Sequence, residues 1–273
     1  MSLASTVDPA VRRATEPSVR ELLVLWQHPE TRRFHPIGRF AFDGTEYEFA
    51  YTRHAMTIAD FRPLPGLPLR ADSYRGQRMP TFFQERTMVS SRPDFVARML
   101  SIQVDPELAT PWEQIVHSGG RRAGDTLQFM QFPEITGSQL CCRFFVNGVR
   151  HVPNGMTRIV DGEPTLVTPD EQERALSTLQ PRQRLDLVLE AENPEDENAV
   201  MISSGGTPLG WVPRILSAGV RDLMGREPCM RVSVVRTAGA SASPHVRLVV
   251  DLEAEVPHGF TFDPEGEWES FAV

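Results

Sequence analysis

Lysine is absent from this chain of 273 residues: all 28 basic residues are arginine. That removes every chemistry that needs a lysine amine from the same chain, among them the P-loop lysine, the strand lysine of protein kinases, Schiff-base catalysis and lysine adenylation. A GC-rich coding sequence accounts for such a bias, because arginine codons are GC-rich. Cysteine is scarce too. Three residues, two of them adjacent at Cys141 and Cys142, give neither a disulfide framework nor the spaced pairs of a zinc site, and read as small buried hydrophobes. No run of eighteen apolar residues offers a membrane span. The opening stretch MSLASTVDPAVRRATEP lacks the apolar core of a secretion signal, so a cytoplasmic location is expected.

An excess of positive charge is also missing. The formal net charge is −8, with 16 Arg and 16 acids over residues 1–136, 12 Arg and 16 acids over 137–256, and four acids without Arg in the last 17 residues. A protein that holds DNA by its backbone normally shows a net basic face. Nucleic-acid binding here would have to rest on a local arginine patch and a pocket. The seven histidines are scattered without metal-ligand spacing, and no Gly-x-Ser-x-Gly or Cys/His pattern is present. Glu190, Glu192, Glu195 and Asp196 are close in sequence, as a metal-dependent hydrolase would need. Strand alternation, however, sends Glu190 and Glu192 to the solvent side. No catalytic residue, metal ligand or cofactor is therefore assigned, and the chain reads as non-enzymatic.

What is there is concentrated in LDLVLEAENPEDENAVMISSGGTPLGWVPR, residues 185–214. Leu185, Leu187 and Leu189 alternate as in a half-buried strand. Asn193, Pro194, Asp196 and Asn198 make a polar turn that bonds its own backbone. Ala199–Ile202 and Leu209–Val212 are two further short strands around a Gly-Gly hairpin, and a helix follows Pro213. Antiparallel barrels are built of such units.

These residues resemble the HIRAN family. The resemblance rests on Asn193-Pro194-x-Asp196-x-Asn198-Ala199 after a strand, then Gly210-Trp211-Val212-Pro213, and upstream FFVNGVRH with Gly148, Val149, Arg150 and His151. It covers roughly 110 residues. It implies a small SH3- or OB-like antiparallel barrel and, as in helicase-like repair proteins, binding of the free 3′ end of single-stranded DNA. Carried over residue by residue, with Arg182 and Arg184 nearby and Arg214 at the start of the following helix, it gives the binding set Arg150, His151, Arg182, Arg184, Asn193, Asp196, Asn198, Trp211 and Arg214. Each has a plainer role open to it: Asp196 and Asn198 as turn residues, Trp211 as core, the arginines as solvated rim. Three departures bear on the ligand. Glu195 stands where well-known members have an aromatic, which removes a stacking platform worth about 1–3 kcal/mol per base. PRQR (Pro181–Arg184) replaces a Pro-Gly-Asp and adds positive charge. An insertion over 152–180 contains a helix that opens at Thr168.

The first half reads as a mixed α/β unit: a helix over Ser18–His28, a hairpin of Ile37–Phe42 and Glu46–Thr52 around Asp43-Gly44, a proline-rich stretch, and helical segments before a strand from Thr126. Gly119-Gly120 reads as a helix cap, with a phosphate cradle as the other reading. Ile37-Gly38-Arg39-Phe40, YEFAY (Tyr47–Tyr51), PGLPLR and Phe82-Phe83 resemble the N-terminal subdomain of HipA-type toxin kinases, which implies a role in protein docking. The kinase motifs are absent. The expected organisation is thus an α+β protein with a HipA-like unit at 1–136, a HIRAN-like barrel at 137–256 and an acidic-aromatic, solvated tail at 257–273. The function expected is recognition of single-stranded DNA or a DNA 3′ end, in repair or in defence against foreign DNA. The competing function is a protein-interaction or toxin–antitoxin-type module.

Overall fold

The computed structural model describes residue 17 and residues 19–122, 124, 126–157, 164–190, 193–226 and 229–271. The chain divides into two compact units: residues up to Phe129 together with those from Gly266 onward, and Met130–Glu265.

In the first unit the segment expected as a helix is a strand, β1 (Glu21–Gln27). It lies between β2 (Phe34–Phe42) and β5 (Leu127–Gln131) in an antiparallel-paired sheet ordered β4-β3-β2-β1-β5, with β3 Tyr47–Tyr51 and β4 Tyr74–Gly76. Leu22, Leu23, Val24 and Leu25 are all buried. A strand covered on both faces reads as a continuous apolar run, and such a run contains helical spacings by default. The hairpin between β2 and β3 forms as read. Asp43 Oδ1 accepts from the Thr45 and Glu46 amides at 2.7 and 2.8 Å. Aromatic rings fill the core: Phe40 stacks on Phe83 at 4.1 Å and meets Trp112 edge-on at 5.1 Å.

The proline-rich stretch is held by the hydroxyls of Tyr74, which donates to Pro68 O, and of Tyr51. The Tyr51 hydroxyl donates to Leu67 O at 2.5 Å and accepts from the Leu64 amide at 2.8 Å. Burial pushes its pKa up to about 12, so the phenol keeps its donor proton at any working pH. Helices α1 (Thr81–Gln84), α2 (Phe95–Ser101) and α3 (Pro111–Ser118) follow. The α3 N-terminus is capped by Thr110, whose hydroxyl accepts from the Glu113 amide, and Gly119 closes it in the left-handed region. At Gly120 a Cβ would lie 2.3 Å from the Phe129 ring, so packing explains the second glycine. The chain end is not solvated as expected. Trp268 is 5% exposed, and the Phe271 amide donates to Tyr51 O at 2.7 Å. The indole supplies apolar area that outweighs the flanking acids.

The second unit carries an antiparallel sheet ordered β12-β11-β10-β13-β14-β7-β6. Its strands are β6 (Glu134–Thr136), β7 (Gln139–Phe145), β10 (Arg184–Leu189), β11 (Val200–Ser204), β12 (Thr207–Trp211), β13 (Met230–Thr237) and β14 (Leu248–Glu255). Cys142, Val250, Val234 and Leu185 lie on its buried face. Among the described residues no ladder closes this sheet into the expected barrel. Among the described residues its β12 edge meets the segment after β7 at the bridge Asn147–Trp211, with reciprocal amide-to-carbonyl bonds of 2.9 and 2.8 Å. The reason is local. Gly148 follows at φ +69 and turns the chain into a 3-10 turn at Val152–Asn154 instead of along β12. The region of the expected insertion forms a two-stranded ribbon, β8 (Met156–Thr157) with β9 (Thr165–Leu166), and helix α4 (Pro169–Thr178). Helix α5 (Arg214–Gly225) packs on β11. No helix of the described residues is long and apolar enough to cross a membrane.

Candidate nucleic-acid interface

The polar turn after β10 is built by its own side chains. Asn193 Oδ1 accepts from the Glu195 and Asp196 amides at 2.9 and 3.0 Å, and Asp196 Oδ1 accepts from the Asn198 amide at 3.0 Å. The second Asp196 oxygen accepts from the Ser217 hydroxyl at 2.6 Å. That hydroxyl is also 2.8 Å from Arg214 O, so the turn is fastened to the first turn of α5. Arg221 repeats the fastening, donating to Glu197 O at 2.6 Å. A carboxylate oxygen has two lone pairs, so Asp196 keeps acceptor capacity beyond these internal bonds. Asn198 serves the turn through its backbone amide.

The turn is joined to Trp211 through Glu190. Glu190 is 5% exposed and accepts from the Trp211 indole N–H at 2.6 Å and from Asn193 Nδ2 at 2.5 Å. This overturns the reading of Glu190 as solvent-facing. Val200, Met201, Ile202 and Ser203 of β11 are all buried, so both faces of that strand are covered and alternation no longer separates core from water beside Glu190. Buried carboxylates need donors, and this one has two.

Trp211 also holds the third motif block. At Gly148 a Cβ would lie 2.5 Å from the indole, so ring and backbone are in close contact. At Gly210 a Cβ would meet Asn147 O at 2.6 Å. Behind the Gly148 loop, the buried Gln172 of α4 donates to Val149 O at 2.7 Å. The insertion helix therefore supports the loop from within. Arg150 Nε donates to His151 Nε2 at 3.1 Å. Burial first, then the Arg150 charge, lowers the His151 pKa, against an opposing pull from the Glu195 carboxylate. Arg150, His151 and Glu195 thus share one electrostatic neighbourhood.

Seven of the nine residues named from the sequence lie in or beside this network: Asn193, Asp196 and Trp211 through their side chains, Asn198 and Arg214 through their backbone, and Arg150 and His151 on the adjoining Gly148 loop. Arg182 and Arg184 are not brought to it. The Arg182 amide donates to Val234 O in the turn before β10, and Arg184 begins that strand, at the opposite end from Glu190. Arg184 instead lines a cavity of about 310 Å³ with Leu185, Asp186, Leu187, Met224, Met230 and Val232. Arg143 of β7 is held by Asp251 through two bonds of 2.7 Å on the outer face of the sheet. Glu190, Ser217 and Gln172 were missed. A signal existed for Ser217, which lies three residues after Arg214 and so on the same helix face. None existed for Gln172. Among the described residues no group of three His, Cys, Asp or Glu is arranged to hold a metal ion.

The second unit is thus an open antiparallel sheet with a polar turn, a glycine loop and a helix N-terminus gathered around one tryptophan. No family model matches the chain, and no curated protein matches it. Among solved structures it is similar to the crystal structure of the HIRAN domain of human HLTF, at 14% identity and a TM-score of 0.26, over 44% of this chain and 79% of that one. A score of that size carries no weight for function.

Proposed function

We propose that the second unit binds single-stranded nucleic acid, with a preference for a free 3′ end, at the network around Trp211. The observation that carries this is the meeting of the three motif blocks, Gly148–His151, Asn193–Asn198 and Gly210–Arg214, through Trp211 and Glu190. In this reading Arg150 and Arg214 meet phosphate, Asp196 accepts from a terminal hydroxyl with its remaining lone pairs, and Trp211 offers ring edge and surface to the last base. A role in repair or in defence against foreign DNA would follow from end recognition. For the first unit we propose a protein-docking role. The resemblance to the HipA subdomain supports it, as does the exposure of Val89, Val96, Leu100 and Leu108 in and around α2.

The test is fluorescence anisotropy with a short 5′-labelled single strand ending in a 3′-hydroxyl or a 3′-phosphate. Tighter binding of the hydroxyl form, lost in Asp196→Asn and in Trp211→Ala and kept in Arg184→Ala, supports the reading. Equal affinity for both ends would remove the end preference. Absence of binding at low salt would remove the nucleic-acid reading altogether and leave protein partners.

A further inference from the structure

The first unit contains a histidine cluster that the proposed function does not use. His35 Nδ1 and His54 Nε2 are 2.9 Å apart, with the rings stacked at 5.2 Å and 12°. A third ring, His28, lies 6.3 Å from His35. His54 belongs to the 3-10 turn His54–Met56, and that turn holds the C-terminal segment. The His54 amide donates to Glu267 O at 3.1 Å and the Arg53 amide to Glu269 O at 2.9 Å. The side chains repeat the pairing: His54 Nδ1 is 3.1 Å from Glu267 Oε1, and Arg53 is 2.6 Å from Glu269. Beyond them Thr52 bridges Ser270, and Trp268 is buried. The last residues are a strap tied across the end of β3.

A nitrogen–nitrogen contact of 2.9 Å is a hydrogen bond only if one nitrogen carries a proton and the other does not. With both rings protonated, two N–H groups and two positive charges would face each other at that distance. We infer that the strap is a pH-responsive clasp: it is closed while at least one of His35 and His54 is neutral, and acidification below the ordinary histidine range opens it.

The charged groups around the pair set the sign. Arg33 and His28 face His35 from the β1–β2 connection, and Asp60 lies 3.9 Å from His28. Glu267 faces His54, and beside it Arg53 is paired with Glu269. Burial first, then His54, His28 and Arg33, lowers the His35 pKa below 6.5. A histidine with a depressed pKa in the closed state contributes stability that is complete above 6.5 and is lost as pH falls through the depressed value. The opposing attraction, Glu267 for a protonated His54, is weaker. Its side chain is 48% exposed, and the His54 Nδ1 atom it approaches is buried yet has no well-directed hydrogen bond.

Hydrogen exchange on the full chain tests this, with rates corrected for the intrinsic pH dependence. The readout is protection of the peptide containing Phe271 relative to that of the β2–β3 peptides. Between pH 7.5 and 5.0 the ratio should fall severalfold. In His35→Gln the ratio should stay constant, because the second charge cannot form. If that variant loses β2–β3 protection, His54→Gln makes the same comparison. A ratio that does not change with pH in the natural protein would overturn the inference. So would a fall of equal size in the variant.

Discussion

Glu190 decides whether the Trp211 network is a built site or a chance meeting of loops. A buried carboxylate is tolerated only with donors, and here the indole N–H and the Asn193 amide meet the same oxygen. Glu190→Gln keeps the shape and an oxygen for both donors but removes the charge that strengthens the two bonds. The expected loss is about 1–3 kcal/mol in urea denaturation, with a changed Trp211 emission and weakened strand binding. Gly148→Ala strikes the same point from the other side. The residue sits at φ +69, and a Cβ would lie 2.5 Å from the indole. A cost of about 1–3 kcal/mol is expected, and unchanged stability by the same denaturation would show that the ring can withdraw freely. At this scale the sequence was legible where a residue's role is local. Asn193 and Asp196 bond the turn they sit in, as their chemistry dictates. Glu190 was illegible because its burial depends on what covers β11, a neighbour strand ten residues away.

Among the elements, those with a local signal came out as read and those defined by their surroundings did not. The Asp43-Gly44 hairpin and the helix opening at Thr168 carry their own punctuation. The strand β1 does not: an apolar run is a helix or a central strand according to whether β2 and β5 flank it. The open edge of the sheet is a similar case, since the departure at Gly148 is visible as a glycine but not as a failure to pair. Helix α4 allows a sharp test of how the insertion serves the loop. Thr168 and Glu171 form a reciprocal capping box, and Gln172 in the next position holds Val149 O. Thr168→Ala should cost about 1 kcal/mol by denaturation. Gln172→Leu leaves the cap intact and removes the bond to the loop. If α4 supports the Gly148–His151 loop, the second substitution weakens strand binding more than the first for an equal loss of stability. Equal weakening would make α4 a stability element alone.

For the whole molecule the governing fact is the charge of −8. Under the proposed function, a strand is repelled by this net charge at long range and is held by Arg150 and Arg214 at the site. For single strands log K falls with log salt by about 0.7 per phosphate neutralised, so two contacts predict a slope near −1.4. Screening of the general repulsion acts the other way, because added salt then helps the strand to approach. The measured slope should therefore be shallower than −1.4, and Arg150→Ala should flatten it by about one contact, while Arg184→Ala, at the other end of β10, should leave it unchanged. A steep slope of several units would mean that many arginines act together. The placement of Arg143 against Asp251, and of Arg182 and Arg184 away from the turn, argues against such a patch. Under the proposed function, affinity then comes from the fit of one chain end to the Trp211 network, and the ratio of hydroxyl to phosphate binding should hold constant across salt while the absolute affinity shifts. A ratio that vanishes at high salt would reassign the preference to charge repulsion by Glu195 and the neighbouring acids instead of to contact with the hydroxyl.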